Sequence, residues 1–125
     1  MTEQKKVNGL MINEAIFQGR VIEDPQIVQG GAGECAWIKL ETIVGELAAN
    51  GQWVDSEQVV PLLVLDEKKV NVVKQYIKEG RELLVWCYYK TWTDETVNHG
   101  LVVTKLKLGR TPFQPQNDLG NLPTL

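Results

Sequence analysis

Between residues 66 and 92 the hydrophobic period of the chain changes. Val70, Val73 and Ile77 recur at helical spacing with Tyr76 beside them, and Lys68, Lys69, Lys74 and Lys78 fall on the opposite face. This spacing predicts a short helix from Asp66 to Gly80. The Asp66 carboxylate serves as N-cap for the free amides of the first turn, and Gly80 suits the left-handed C′ position. From Arg81 to Trp92 the period is two. Leu83, Val85, Cys87 and Tyr89 share one face of a strand; Leu84, Trp86, Tyr88, Lys90 and Trp92 share the other. A strand that is apolar on both faces needs cover on both. One face is assigned to the core, and the face with two Trp, a Tyr and a Lys to a partner.

The rest of the chain reads as shorter strands and turns. Residues 1–10 are a polar, flexible arm with Lys5 and Lys6. A strand follows from Met11 to about Ile22, with Ile12 and Ile16 breaking its alternation as though both sides were covered. Asp24-Pro25 closes it, a second strand begins near Gln26, and Gly30 to Gly33 form a hairpin hinge. From Glu34 to Val44, Ala36, Ile38 and Leu40 oppose Cys35, Trp37, Lys39 and Glu41. Gly45 to Ser56 reads as a loop with an Asn50-Gly51 turn and an exposed Trp53. A strand from Gln58 to Leu65 carries Pro61, which argues for an edge or a bulge. Asp94 to Gly100 is a polar hairpin loop, and Leu101 to Leu108 a final strand with Lys105 and Lys107 on one side. Residues 111–125, with Pro112, Pro115 and Pro123, form a flexible tail. Short strands with one helix between the third and fourth define an all-β class: a five-stranded Greek-key OB-fold barrel over residues 11–110.

Composition narrows the function. With 125 residues, 43% hydrophobic and 23% charged, the chain makes one globular domain with a real core. It has no apolar run of bilayer length and no secretory-type leader, so a cytoplasmic protein without membrane association is expected. Cys35 and Cys87 are the only cysteines and read as reduced core thiols. His99 is the single histidine and reads as a turn residue, so no metal site, no cofactor and no catalytic centre is expected. The Gly30 to Gly33 cluster precedes a strand and fails as a phosphate loop. A net charge of −3 opposes a uniformly basic nucleic-acid surface but not a local one.

The aromatic residues carry the positive signal. Trp37 shares a strand face with Lys39; Trp86, Tyr88, Lys90 and Trp92 share another. Flat rings interleaved with cations suit a single nucleic-acid strand, with bases on the rings and phosphates on the lysines. Trp53, Lys68, Arg20, Lys105 and Lys107 complete the candidate set. The competing reading places these rings in the core or at a subunit interface, above all Trp86 and Tyr88.

Several blocks resemble the bacterial-type single-stranded-DNA-binding (SSB) family. Asn13 to Gln26 is similar to its opening strand, Gly33 to Thr42 to its second, and Val103 to Arg110 to its closing strand. Within Leu65 to Asp94, the strongest block, Lys68, Tyr76, Gly80, Thr91, Trp92, Thr93 and Asp94 fall on family positions. The resemblance implies an OB fold, sequence-nonspecific binding of single-stranded DNA in replication, recombination or repair, and a homo-oligomer, either tetramer or dimer. It assigns DNA stacking to Trp92 and a helix-start cation to Lys68; Trp53 lies near a loop-side family Trp. Asp66 stands where the family commonly has a stacking Phe, and Glu79 where it has a basic residue. The tail to Leu125 lacks the acidic tip that recruits replication or recombination proteins. A short, divergent member of this kind suits a bacteriophage or mobile element. The alternative function is an OB-fold interaction subunit, primosome-like or scaffolding, with weak nucleic-acid affinity.

Overall fold

The computed structural model describes residues 11–30 and 33–111. The proposed arm at 1–10 and tail from 112 onward lie outside the described residues, as do positions 31 and 32 of the hairpin hinge. Seven elements follow in order: β1 (Ala15–Val21), β2 (Gln26–Gly30), β3 (Gly33–Leu47), β4 (Trp53–Val64), α1 (Glu67–Tyr76), β5 (Glu82–Asp94) and β6 (Thr96–Leu108).

The strands form one sheet in the order β1-β5-β6-β4-β3-β2, and an added β1–β3 pairing closes it. β1, β5, β6, β4 and β3 therefore make a closed five-stranded barrel, and β2 is a short hairpin strand on β3 alone. Closure rests on short contacts: Arg20 and Val21 against Glu41 and Leu40, and a parallel pairing of Leu62 and Leu63 with Leu101 and Val102. The helix lies between the third and fourth barrel strands. This is the OB fold.

The core is the inward set of each alternation. Val21, Ala36, Ile38, Leu40, Leu62, Val64, Leu83, Val85, Cys87 and Val103 fill the barrel, and Val70 and Val73 of α1, with Ile77 just past its end, plug one end. Fully burying each Val, Leu or Ile contributes roughly 1.5–3 kcal/mol. A Lys74–Glu34 ion pair ties α1 to β3. Burial pushes the Cys87 thiol above its ordinary range.

Asp66 is the N-cap, accepting the Lys68 amide at 3.3 Å and the Lys69 ammonium at 3.0 Å. These bonds hold its carboxyl below the usual range. The C-terminal end differs from expectation. The helix stops at Tyr76, Ile77 is the C-cap, and Gly80 sits in a following turn at φ 94°. Ile77 is drawn into the core in extended conformation, and Arg81 donates its amide to Lys78 across that turn. Gly80 in turn donates to Val21 at 2.7 Å, handing the chain on to β1.

Three expected loops or covers are corrected. Gly45 to Ser56 is not a loop: β3 and β4 remain paired out to Leu47↔Trp53, leaving only Ala48–Gln52 as the turn. Asp94 to Gly100 is likewise mostly strand, turning at Glu95, and His99 lies within β6 opposite Thr91 instead of in a turn. β1 begins at Ala15, and Ile16 is 56% exposed, so its second side is open in the single chain. Beyond Ala15↔Cys87, Asn13 continues the ladder with its side chain, donating to the Tyr89 carbonyl at 2.7 Å and accepting its amide at 2.9 Å. Pro61 fits the edge expectation, because β4 is paired on its second side only at Leu62 and Leu63.

β6 carries one irregularity. Trp86 pairs with Lys105 but Cys87 with Val103, so Thr104 is an extra residue, its hydroxyl donated to the Trp86 carbonyl at 3.1 Å. At the barrel's lower seam Glu82 holds Arg110 through two hydrogen bonds of 3.0 and 2.7 Å, which depress the Glu82 carboxyl below its usual 4.5. A depressed folded value adds stability above the unfolded value, and that stability is lost as pH falls through the folded one. Glu82→Gln should therefore cost about 1 kcal/mol near neutrality. Urea midpoints of variant and wild type should converge as the pH drops below about 4; a pH-independent gap would show that the pair is not the cause.

Candidate nucleic-acid interface

The register assembles an aromatic surface on the outer face of β3, β4, β6 and β5. Trp37 is opposite Leu63, Leu63 opposite Val102, and Val102 opposite Tyr88, so these four side chains form one row across four strands. Leu63 and Val102 are nearly fully buried in that row, flanked by the two rings. One pair further along, Lys90 faces Gly100, and beyond it Trp92 faces Asn98.

Both indoles approach Gly100. A Cβ built there would lie 3.4 Å from Trp92 Cη2 and 3.7 Å from Trp37 Cη2. The six-membered rings of two tryptophans from different strands thus converge on one bare backbone position of a third. Any side chain beyond a methyl would compete with them for that space. Trp37 and Trp92 are both half-buried, leaving part of each ring open to solvent.

Cations border this centre. Lys90 is exposed between Tyr88 and Trp92, and Lys39 is exposed one step beyond Trp37, 3.5 Å from Glu23. Down the same face, Lys105 lies 4.7 Å from the Trp86 ring centroid, a cation–π contact, and Lys107 faces Leu84. Trp86 and Tyr88 are half-buried, and Ile16 of β1 sits opposite Trp86.

Other expected site residues lie elsewhere. Arg20 lies opposite Glu82 in the β1–β5 register, on the outer face of β1, and lines a cavity of about 480 Å³ that also holds Glu41, Glu57 and Arg110. Lys68 is exposed on the first turn of α1. Trp53 is at the far end of the β3–β4 hairpin, about 33 Å of strand beyond Trp37. It is 73% exposed, with its ring 3.8 Å from a Cβ built on Gly45. Gly100 was the residue the sequence did not single out: beside His99 it resembled a turn glycine, and only the cross-strand register places it under two indoles. Among the described residues, no group of three or more His, Cys, Asp or Glu could hold a metal ion. None of the described helices is long and apolar enough to cross a membrane.

A closed five-stranded barrel with an aromatic outer face belongs to the class of OB-fold proteins, and solved structures agree. The chain is similar to a Plasmodium falciparum SSB in complex with single-stranded DNA (TM-score 0.64, 19% identity, 82% of this chain and 98% of that one). It is also similar to the small single-stranded DNA-binding protein of Streptomyces coelicolor (0.55, 13%, 78% and 95%). A deletion mutant of the Thermus aquaticus single-stranded DNA-binding protein matches at 0.64 and 12%, over 78% of this chain and 50% of that one. No protein-family model and no curated protein matches the sequence. At these identities the likeness shows the fold.

Proposed function

We propose that this protein is a non-enzymatic, sequence-nonspecific single-stranded-DNA-binding protein that coats the strand during replication or recombination. The observation that carries the reading is the convergence of Trp37 and Trp92 over Gly100, with Lys39 and Lys90 beside them. Rings that stack on any base, flanked by cations that meet phosphates, bind a strand without reading its sequence. The cations are local, which reconciles the site with a net charge of −3. Tyr88 and Trp86 extend the same face toward β1, and the strand passes along it. Arg20, Lys68 and Trp53 stand apart from this track and are secondary. Cytoplasmic location and a homo-oligomeric state accompany the proposal.

Intrinsic tryptophan fluorescence titrated with oligo(dT) tests it. Quenching should be saturable, and the log of the binding constant should fall with the log of salt concentration with a slope of about −1.4, as expected for two neutralised phosphates. Well-folded protein that shows no quenching at low salt would exclude the coating role and favour a protein-binding OB subunit.

A further inference from the structure

The β3–β4 hairpin runs well past the barrel and differs from it in character. From residue 40 to residue 67 the chain contains no Lys, Arg or His but six acids: Glu41, Glu46, Asp55, Glu57, Asp66 and Glu67. The four on the hairpin form no ion pair among the described residues. Ile43, Leu47 and Trp53 are all largely exposed on the face that also carries Asp55 and Glu57. A projecting ribbon that shows large apolar side chains together with unpaired carboxylates repels phosphate and attracts a cationic, apolar surface.

Such a surface exists at the other side of the barrel. Between α1 and β6 lies a groove of about 400 Å³ whose floor is Val72, Leu106 and Leu108 and whose rim is Lys69, Lys105 and Lys107. That volume is in the range that accommodates a small ligand or a large side chain, roughly 300–1,000 Å³. Lys69 is paired with Asp66, whereas Lys105 and Lys107 have no carboxylate partner among the described residues.

We propose that the acidic, Trp53-tipped end of the β3–β4 hairpin docks into the lysine-rimmed groove of a second copy of this chain. Trp53 and Leu47 meet the apolar floor, and Asp55 and Glu57 meet the lysines. Hairpin tip and groove are different surfaces, so the contact is head to tail and propagates from copy to copy. It requires no DNA, and it makes association of neighbouring copies on one strand cooperative. It also removes Trp53 from the strand's path.

Charge reversal tests it by sedimentation velocity without DNA. Wild type should associate with rising concentration, more weakly as salt rises. Asp55→Lys/Glu57→Lys and Lys105→Glu/Lys107→Glu should each weaken self-association roughly tenfold or more. An equimolar mixture of the two should associate again, because each basic hairpin then meets an acidic groove and each acidic hairpin a basic one. Circular dichroism confirms that both variants are folded. A monomeric wild type at about 100 µM, far above the micromolar range of a modest specific contact, would overturn the proposal. So would variants that associate like wild type, or a mixture that fails to recover. Oligo(dT) quenching is read separately, so loss of the docking contact and failure of strand binding remain distinct results.

Discussion

Trp92→Ala is expected to weaken oligo(dT) binding by roughly 1–3 kcal/mol, the contribution of one stacked base, or about five- to more than a hundredfold. The effect has two parts. One stacking platform is lost outright, and the space over Gly100, which the Trp37 ring end also approaches, is opened. The salt slope should stay close to that of the wild type, since Lys39 and Lys90 remain and the phosphate contacts are theirs. Fluorescence quenching and a filter or anisotropy titration at two salt concentrations separate these terms. Unchanged affinity in a folded variant would show that the strand does not cross this ring. A steep loss of slope would mean that the ring acts by ordering lysines instead of stacking on bases.

The second large effect concerns stability. Gly19→Ala should destabilise the barrel by about 3 kcal/mol, lowering Tm by on the order of 10 °C or more. A Cβ at Gly19 would lie 1.9 Å from the Glu41 carbonyl oxygen and 2.9 Å from its carbon. Both are backbone atoms and cannot rotate aside. The crowding falls next to Arg20↔Glu41, one of only two residue pairs by which β1 closes on β3. Relief therefore requires separating the strands where closure is thinnest. Chemical denaturation followed by circular dichroism measures this, and a midpoint within error of wild type would show that β1 and β3 part easily there.

Where side chains alternate between core and solvent, the sequence alone is enough to place them. Ala36, Ile38 and Leu40, and again Leu83, Val85 and Cys87, are buried as their period-two pattern requires. Val70, Val73 and Ile77 are buried at helical spacing. The pattern fails where the strands leave the barrel. Residues 45–47 and 53–56 have no core to face on either side, so their composition follows solvent and resembles a loop; Asn50-Gly51 strengthens that impression but marks only the tip. Thr96 to Gly100 misleads for the same reason. The candidate site was half legible. Trp37, Lys39, Tyr88, Lys90 and Trp92 could be assigned to strand faces, but which faces adjoin depends on β6 lying between β4 and β5. That order follows from the barrel's closure, and no local pattern encodes it. Arg20 and Trp53 fit the composition of a binding face equally well, and only register shows how far they stand from the indole pair.

The extra residue in β6 has a bearing on the electrostatics of the whole face. Before it, the even-numbered positions Asn98, Gly100 and Val102 share the outer side; after it, the odd-numbered Lys105 and Lys107 do. With an unbroken pleat these two lysines would carry their charges into the barrel, beside Val85 and Leu83, at a cost no partner there could offset. Thr104 thus acts as a phase shift. It lets one strand supply a smooth, side-chain-free seat for two indoles and, a few residues on, a cationic edge, both turned to the same side of the molecule.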